Sequence, residues 1–233
     1  MSGRNECQNE LEKLKRMSFQ DKLWYLWSYY KVYLAVFIAI VAVLGVAATA
    51  LYDQTFTTRL GLALVNNHSP NAQNAVLLEE RLRSLLDCGK KDVVEISSGL
   101  YLGEAANAED SYLAQTKLTA LIASDALDII IADQETIDLY AAGDMLCDLS
   151  QTLPGDLTGS LEDRFCLSPA PSGDFDSDEN PRLSGESLPY SISLEGTWLT
   201  NEGYVSMDAP CLAVISGSPR TEAAVQVIRS LFP

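Results

Sequence analysis

Histidine is nearly absent: His68 stands alone in 233 residues. That excludes any site needing two imidazoles and leaves a Ser-His-Asp or Cys-His arrangement dependent on this one residue, which sits in an Asn-Asn-His-Ser-Pro stretch read as a loop. No G-x-S-x-G elbow, phosphate-binding P-loop or G-x-G-x-x-G turn occurs, which argues against a conventional hydrolase or nucleotide-binding enzyme. Positive charge is scarce as well, with 16 Lys and Arg against 32 Asp and Glu, a net charge of −16. A surface this acidic is repelled by nucleic acid and by anionic lipid.

The abundant carboxylates do not resolve into a motif. Asp174, Asp176 and Asp178 have the alternate spacing that opens a calcium loop, but Glu179 stands where glycine is needed and Gly185 where the closing glutamate belongs. A solvated acidic loop is the reading that remains. No spacing singles out a carboxylate pair for glycoside chemistry. The expectation is therefore no catalytic residue, no metal and no cofactor.

One long apolar run is present. Val32 to Tyr52 holds 21 residues without a charge, enough as a helix to cover about 30 Å of hydrocarbon. Trp24, Tyr25, Trp27, Tyr29, Tyr30 and Tyr33 crowd one end and Tyr52 the other, as interfacial rings do. Ala48-Thr-Ala50 imitates a signal-peptidase site, but the 31-residue polar leader and the length of the run favour an uncleaved signal-anchor. Arg4, Lys13, Lys15, Arg16, Lys22 and Lys31 precede it, whereas residues 53–72 carry only Arg59. The positive-inside rule then gives a single-pass protein of the cell membrane, its N-terminus cytoplasmic and its C-terminus extracellular. Charge divides at the same place: residues 1–52 hold six basic and four acidic side chains, and residues 53–233 hold ten and 28. Ser18 to Asp21 resembles a capping box, so a juxtamembrane helix is expected before the span, with Leu23, Trp24, Trp27 and Tyr30 on one face. The expected organisation is thus 1–31 cytoplasmic tail and juxtamembrane helix, 32–52 transmembrane helix, and 53–233 extracellular domain. Cys88, Cys147, Cys166 and Cys211 fall outside, an even number allowing three pairings, with Cys147 and Cys166 nearest in sequence.

Within the outer region strand and helix signals alternate. Arg59 to Val65 and Asp92 to Ile96 read as strands, and Leu127 to Ala132 as a third. Asn74 to Asp87, Ser111 to Ser124 and Gln134 to Ala142 read as the intervening and following helices. Cys211 to Ser216 reads as a further strand, and Ser218-Pro219 as a cap and first turn for the last helix. This order predicts an α/β fold with a parallel sheet in three layers. Between the halves, Gln151 to Pro189 holds five of the nine prolines and is expected to be an acidic loop insertion.

In an open parallel sheet ligands bind beyond the carboxyl ends of the strands, where the strand order reverses. For an order of 2-1-3 the reversal falls between the first and third strands. Asn66 and Asn67 end the first, Ser97 and Ser98 the second, and Asp133 the third; these five are the ligand-binding candidates. Asp133 also has the chemistry of a helix N-cap, a role that needs no neighbours.

Residues 118–154, LTALIASDALDIIIADQETIDLYAAGDMLCDLSQTLP, resemble a segment of bacterial extracellular solute-binding proteins of the type 2 periplasmic-binding fold. There a helix leads to an Asp-hydrophobic-Ala-Asp strand, a Tyr-Ala-Ala run and an Asp-Leu hinge. YSISLEGTWL is similar to the strand after their hinge, with Ser191 where glycine is usual; SGSPRTEAAVQVIRSLF is similar to their closing helix, with Arg220 in an asparagine position. The Tyr25-Leu-Trp27-Ser-Tyr29-Tyr30-Lys31 segment before the span resembles that of single-pass membrane proteins of Gram-positive bacteria. The resemblance implies one lobe of a two-lobed receptor, with a reduced second lobe confined to Gly143–Met207. Its implied functions are a non-enzymatic extracellular binding or interaction module, an accessory or sensory subunit of a membrane assembly with an unidentified protein partner or small solute. The alternatives are a solute-binding receptor for a transporter and, far behind, a carboxylate-dependent extracellular hydrolase.

Overall fold

The computed structural model describes residues 33, 35–46, 49, 55–68, 72–103, 106–175 and 181–232. The chain divides into two units, Met1–Thr55 and Phe56–Pro233. In the first, residues 35–46 are helical, and Val36, Phe37, Ile38, Val43 and Leu44 are exposed. Among the described residues no helix is long and apolar enough to cross a membrane. Residues 32, 34, 47, 48 and 50–52 of the expected span lie outside them, as do the expected cytoplasmic tail and juxtamembrane helix.

The second unit contains strands β1 (Thr57–Val65), β2 (Asp92–Leu100), β3 (Ile129–Ala132), β4 (Phe165–Phe175), β5 (Pro181–Ser193) and β6 (Cys211–Val214). Its helices are α1 (Ala72–Leu85), α2 (Ala108–Ala123), α3 (Gln134–Ala142), α4 (Leu149–Thr152), α5 (Gly155–Ser160), α6 (Trp198–Asn201) and α7 (Thr221–Leu231). The six strands form one sheet in the order β2-β1-β3-β6-β5-β4. Strands β2, β1 and β3 are parallel, with Leu62 opposite Ile129 and Leu64 opposite Ile131. This half has the 2-1-3 order on which the choice of candidate residues is conditional.

The other half corrects the expectation of a parallel sheet. Strand β6 runs antiparallel to β3, pairing Ile129 with Val214 and Ala132 with Cys211, and β5 and β4 continue antiparallel. Strand direction follows from the end of the sheet at which the chain re-enters. Helices α1 and α2 return the chain to the starting end and so produce parallel neighbours. After α3 the chain instead builds α4, α5 and the β4–β5 hairpin before β6 begins. An apolar run such as Cys-Leu-Ala-Val is compatible with either direction, because a strand buried on both faces has no directional pattern.

Alternate residues divide between two cores. Leu60, Leu62, Leu64, Ile129, Ile131, Leu212 and Val214 pack with Leu78 and Leu82 of α1 and with Val227, Ile228 and Leu231 of α7. Ala63, Val65, Ile130, Ala132 and Ala213 pack with Ala114 and Leu118 of α2 and with Ile137 and Tyr140 of α3. Period-two alternation thus feeds apolar side chains to both faces, giving the three layers expected.

Residues 151–189 are a second correction. Helices α4 and α5 lie within or beside this stretch, and β4 and most of β5 add two strands to the same sheet. Leu149, Leu153, Leu157 and Leu161 recur every fourth residue, and all are buried in the core shared with α1 and α7. Each buried leucine contributes about 1.5–3 kcal/mol of transfer free energy before entropy is charged against it. Gly143–Met207 therefore extends the one sheet, and among the described residues it forms no separate second lobe. Of the acidic triplet, Asp174 lies on β4, whereas Asp176 and Asp178 fall outside the described residues.

Candidate functional site

The order reversal between β1 and β3 places the ends of both strands beside α3. Asp133 is the N-cap of α3, its Oδ1 accepting the Thr136 backbone N–H at 2.8 Å. Its Oδ2 accepts from Asn66 Nδ2 at 2.6 Å. Asn66 leaves β1 in the left-handed region, φ 55°, a conformation that asparagine tolerates better than most residues. Its backbone N–H donates to Leu100 O at 2.8 Å, its Oδ1 accepts from Leu102 N at 2.7 Å, and its second amide hydrogen reaches Thr136 Oγ1 at 3.3 Å. Both polar ends of the Asn66 side chain are therefore engaged, and the side chain is buried. Asp133 is a cap and also one half of a latch joining the ends of β1 and β3.

The latch borders a pocket of about 430 Å³ lined by Asn66, Leu102, Gly103, Asp133, Glu135, Thr136 and Leu139. Burial pushes the Asp133 carboxyl up, but hydrogen bonds from the Asn66 amide and from Thr136 outweigh it and hold the group below the ordinary carboxylate range. Asp133 is ionised at neutral pH. With Asn66 saturated, the polar groups left for an occupant are chiefly the free lone pairs of Asp133 and the carboxylate of Glu135. Leu102 and the largely exposed Leu139 supply apolar walls. This arrangement accommodates a hydrogen-bond donor, such as an ammonium, guanidinium or hydroxyl group, carried on an apolar body.

The other three candidates are not part of this pocket. Asn67 is buried and directed elsewhere: its Nδ2 donates to Tyr204 O at 3.0 Å and its Oδ1 accepts from Ser206 N at 2.8 Å. It fastens the end of β1 to the loop after α6. Ser97 lies within β2 opposite Ala63, and Ser98 is exposed. The sequence reading ended β2 at Ile96, whereas the strand continues to Leu100. Its true end delivers Leu102 and Gly103 to the pocket. A longer extended run in Ile96–Leu100, broken only by Gly99, is the signal that would have found them.

At the opposite end of the sheet is a constellation the sequence reading passed over. Asp128 is fully buried just before β3. Its Oδ2 accepts from Gly61 N at 2.6 Å and from Arg220 Nε at 2.8 Å, and its Oδ1 accepts from Ser218 Oγ at 2.5 Å. Ser218 is thus engaged with Asp128 and does not cap the final helix, which begins at Thr221 after Arg220. A side chain could not replace the hydrogen of Gly61, because a Cβ there would lie 1.9 Å from Ala126 O. A second pocket at this end, about 450 Å³, includes Arg59, Arg220 and Glu222; both arginines are paired, with Asp92 and Asp128.

His68 is exposed and its ring tilts toward Tyr101 at 6.3 Å. Among the described residues no group of three or more His, Cys, Asp or Glu side chains is placed to hold a metal ion. Cys88, Cys147, Cys166 and Cys211 are free thiols; the fold brings Cys166 to Cys211, not to Cys147.

No family model matches the chain, and no curated protein matches it. Among solved structures it is similar to an extracellular solute-binding protein family 1 from Alicyclobacillus acidocaldarius subsp. acidocaldarius DSM 446, with a TM-score of 0.33 and 15% sequence identity. The match covers 59% of this chain and spans only 28% of that protein.

Proposed function

We propose that this chain is a membrane-anchored extracellular binding module, non-enzymatic, whose contact site is the pocket beside the Asn66–Asp133 latch. The single observation that carries the reading is that pocket's position: it opens at the carboxyl ends of β1 and β3, where the strand order reverses. Its chemistry suits a donor-bearing group, and on this reading the group is a basic side chain of a protein partner within a membrane assembly. A single sheet with no closing lobe among the described residues favours a surface that docks over one that encloses. The anchor is residues 32–52, supported by the uncharged run and by the exposed apolar side chains of the helical residues 35–46. The orientation rests on the flanking charges. Protease added to intact cells then removes residues 53–233 and leaves the N-terminus protected; the reverse pattern contradicts the topology.

A solute receptor is the second reading, favoured by the pocket's volume, which is that of a small-molecule site. The two separate in thermal melting of the full chain in detergent against amino acids, sugars, peptides and calcium. A ligand that binds only the folded state raises the melting temperature. The interaction reading expects a flat response across the panel. A reproducible rise with one solute class, abolished by Asp133→Ala, establishes the receptor instead.

A further inference from the structure

Cys166 and Cys211 flank β5 on one face of the sheet. Cys166 on β4 lies opposite Ser191, and Cys211 on β6 lies opposite Ser193, two residues further along β5. Paired residues and residues two apart share a face, so both thiols stand on the same side. Their Sγ atoms are 3.5 Å apart. A disulfide holds its sulphurs about 2.05 Å apart, so closure needs a further approach of about 1.5 Å. Strand β4 is placed to supply it. It is an edge strand, paired on one side alone, and its register with β5 shifts between Cys166 and Leu167. An irregularity of this kind re-aims a side chain locally, so Cys166 can approach without moving β5 or β6.

The two thiols differ in access and in proton affinity. Cys166 is half-buried, whereas Cys211 is buried. The single S–H of Cys211 faces three acceptors: Gln134 Oε1 at 3.3 Å, Ala209 O at 3.4 Å and Cys166 Sγ at 3.5 Å. Donation to Cys166 holds that thiol down to about 7, and the same contact together with burial pushes Cys211 up. Ser191 is buried, and its Oγ has no hydrogen-bond partner among the described residues. That hydroxyl nonetheless lies near enough to both sulphurs to favour their ionised forms. The accessible sulphur is thus the more readily ionised nucleophile, and the buried one stands behind it as the resolving thiol.

We propose that Cys166 and Cys211 are a thiol–disulfide exchange site, which closes to a reversible intramolecular disulfide on meeting a low-molecular-weight disulfide. The Cys166 thiolate attacks one sulphur of that oxidant and breaks its S–S bond, leaving a mixed disulfide on Cys166 and releasing one small thiolate. Cys211 then gives up its proton, and its Sγ attacks Cys166 Sγ across the short gap. The Cys166–Cys211 bond forms as the second small thiolate leaves. Two protein thiols are oxidised by two electrons, and one external disulfide is reduced to two thiols. The two protons lost by the cysteines pass through solvent to those thiols. Reduction runs the same steps backwards, entering at Cys166, the sulphur within reach of solvent.

The exchange site is independent of the Asp133 pocket and of the membrane anchor, so any of them can fail alone. In the test the full chain in detergent is reduced, freed of reductant, treated with oxidised glutathione, alkylated and peptide-mapped. The expected product is a Cys166–Cys211 linked peptide, with both thiols lost and both returned when the folded protein is treated with dithiothreitol. The same link should form in a variant with Cys7, Cys88 and Cys147 all changed to serine. Cys211→Ser should stop at one glutathione on Cys166, and Cys166→Ser, with an unchanged circular dichroism spectrum, should leave Cys211 unmodified. Wild-type Cys166 that stays unmodified, keeps its glutathione without a link, or joins another cysteine of the chain overturns the proposal. Uptake on Cys211 of Cys166→Ser overturns the assigned order of attack, and a link that dithiothreitol leaves intact overturns its reversibility.

Discussion

Each end of the parallel half of the sheet holds one aspartate next to β3, and the two are treated differently. Asp128, before the strand, is fully buried and receives a backbone N–H, a hydroxyl and a guanidinium. Asp133, after the strand, receives an asparagine amide and a helix N–H, and remains half-open beside a pocket. The first arrangement uses its carboxylate to fasten β1, β3 and the start of α7 together. The second is complete enough to be rigid and leaves acceptors free for an occupant. A carboxylate at a strand end thus signals binding only where its environment leaves part of it accessible.

The largest effects are expected at the locked end. Gly61→Ala places a methyl carbon on Ala126 O and is expected to prevent folding or to cost several kcal/mol, read by chemical denaturation. Asp128→Ala leaves Arg220 without its buried partner and is expected to cost about 3–5 kcal/mol. At the open end, Asn66→Ala removes the latch and is expected to cost about 1–3 kcal/mol, since Leu102 N–H loses its acceptor. Asp133→Ala removes the cap for about 1 kcal/mol, yet should abolish partner binding, an effect out of proportion to its stability cost. Equal stability losses for Asp128→Ala and Asp133→Ala would erase the distinction.

A pH series reads the Asp133 latch directly. The folded Asp133 carboxyl lies below its unfolded value of about 3.9. Its contribution to stability is therefore present above that value and is lost as pH falls through the folded one. Asp133→Asn should flatten the acid limb of the stability curve, measured by denaturant midpoint, and an unchanged limb removes the latch from the account. The smallest expected effect is that of Ser98→Ala, exposed and outside the pocket, which should stay within about 0.5 kcal/mol and leave binding intact.

The parallel half was legible because the apolar runs at 60–65 and 129–132 are separated by helices, and the observed 2-1-3 order places Asn66 beside Asp133. Strand direction in the other half was not, because it depends on where the chain re-enters the sheet. The leucines at 153, 157 and 161 lie in a stretch whose prolines, glycines and serines suggest a loop. Ser97 and Ser98 were misplaced by stopping β2 four residues early. Asp128 went unnoticed because its partners, Gly61 and Arg220, are distant in sequence and meet only in the fold.

In the proposed function the open end, not the locked end, meets a protein partner. Photo-crosslinkers placed singly at Leu139, beside the Asp133 pocket, and at Glu222, beside the opposite pocket, test it in native membranes. The account predicts a discrete crosslinked product from Leu139 that disappears in the Asp133→Ala background, and none from Glu222. A product from Glu222 alone, or a Leu139 product indifferent to Asp133→Ala, contradicts it.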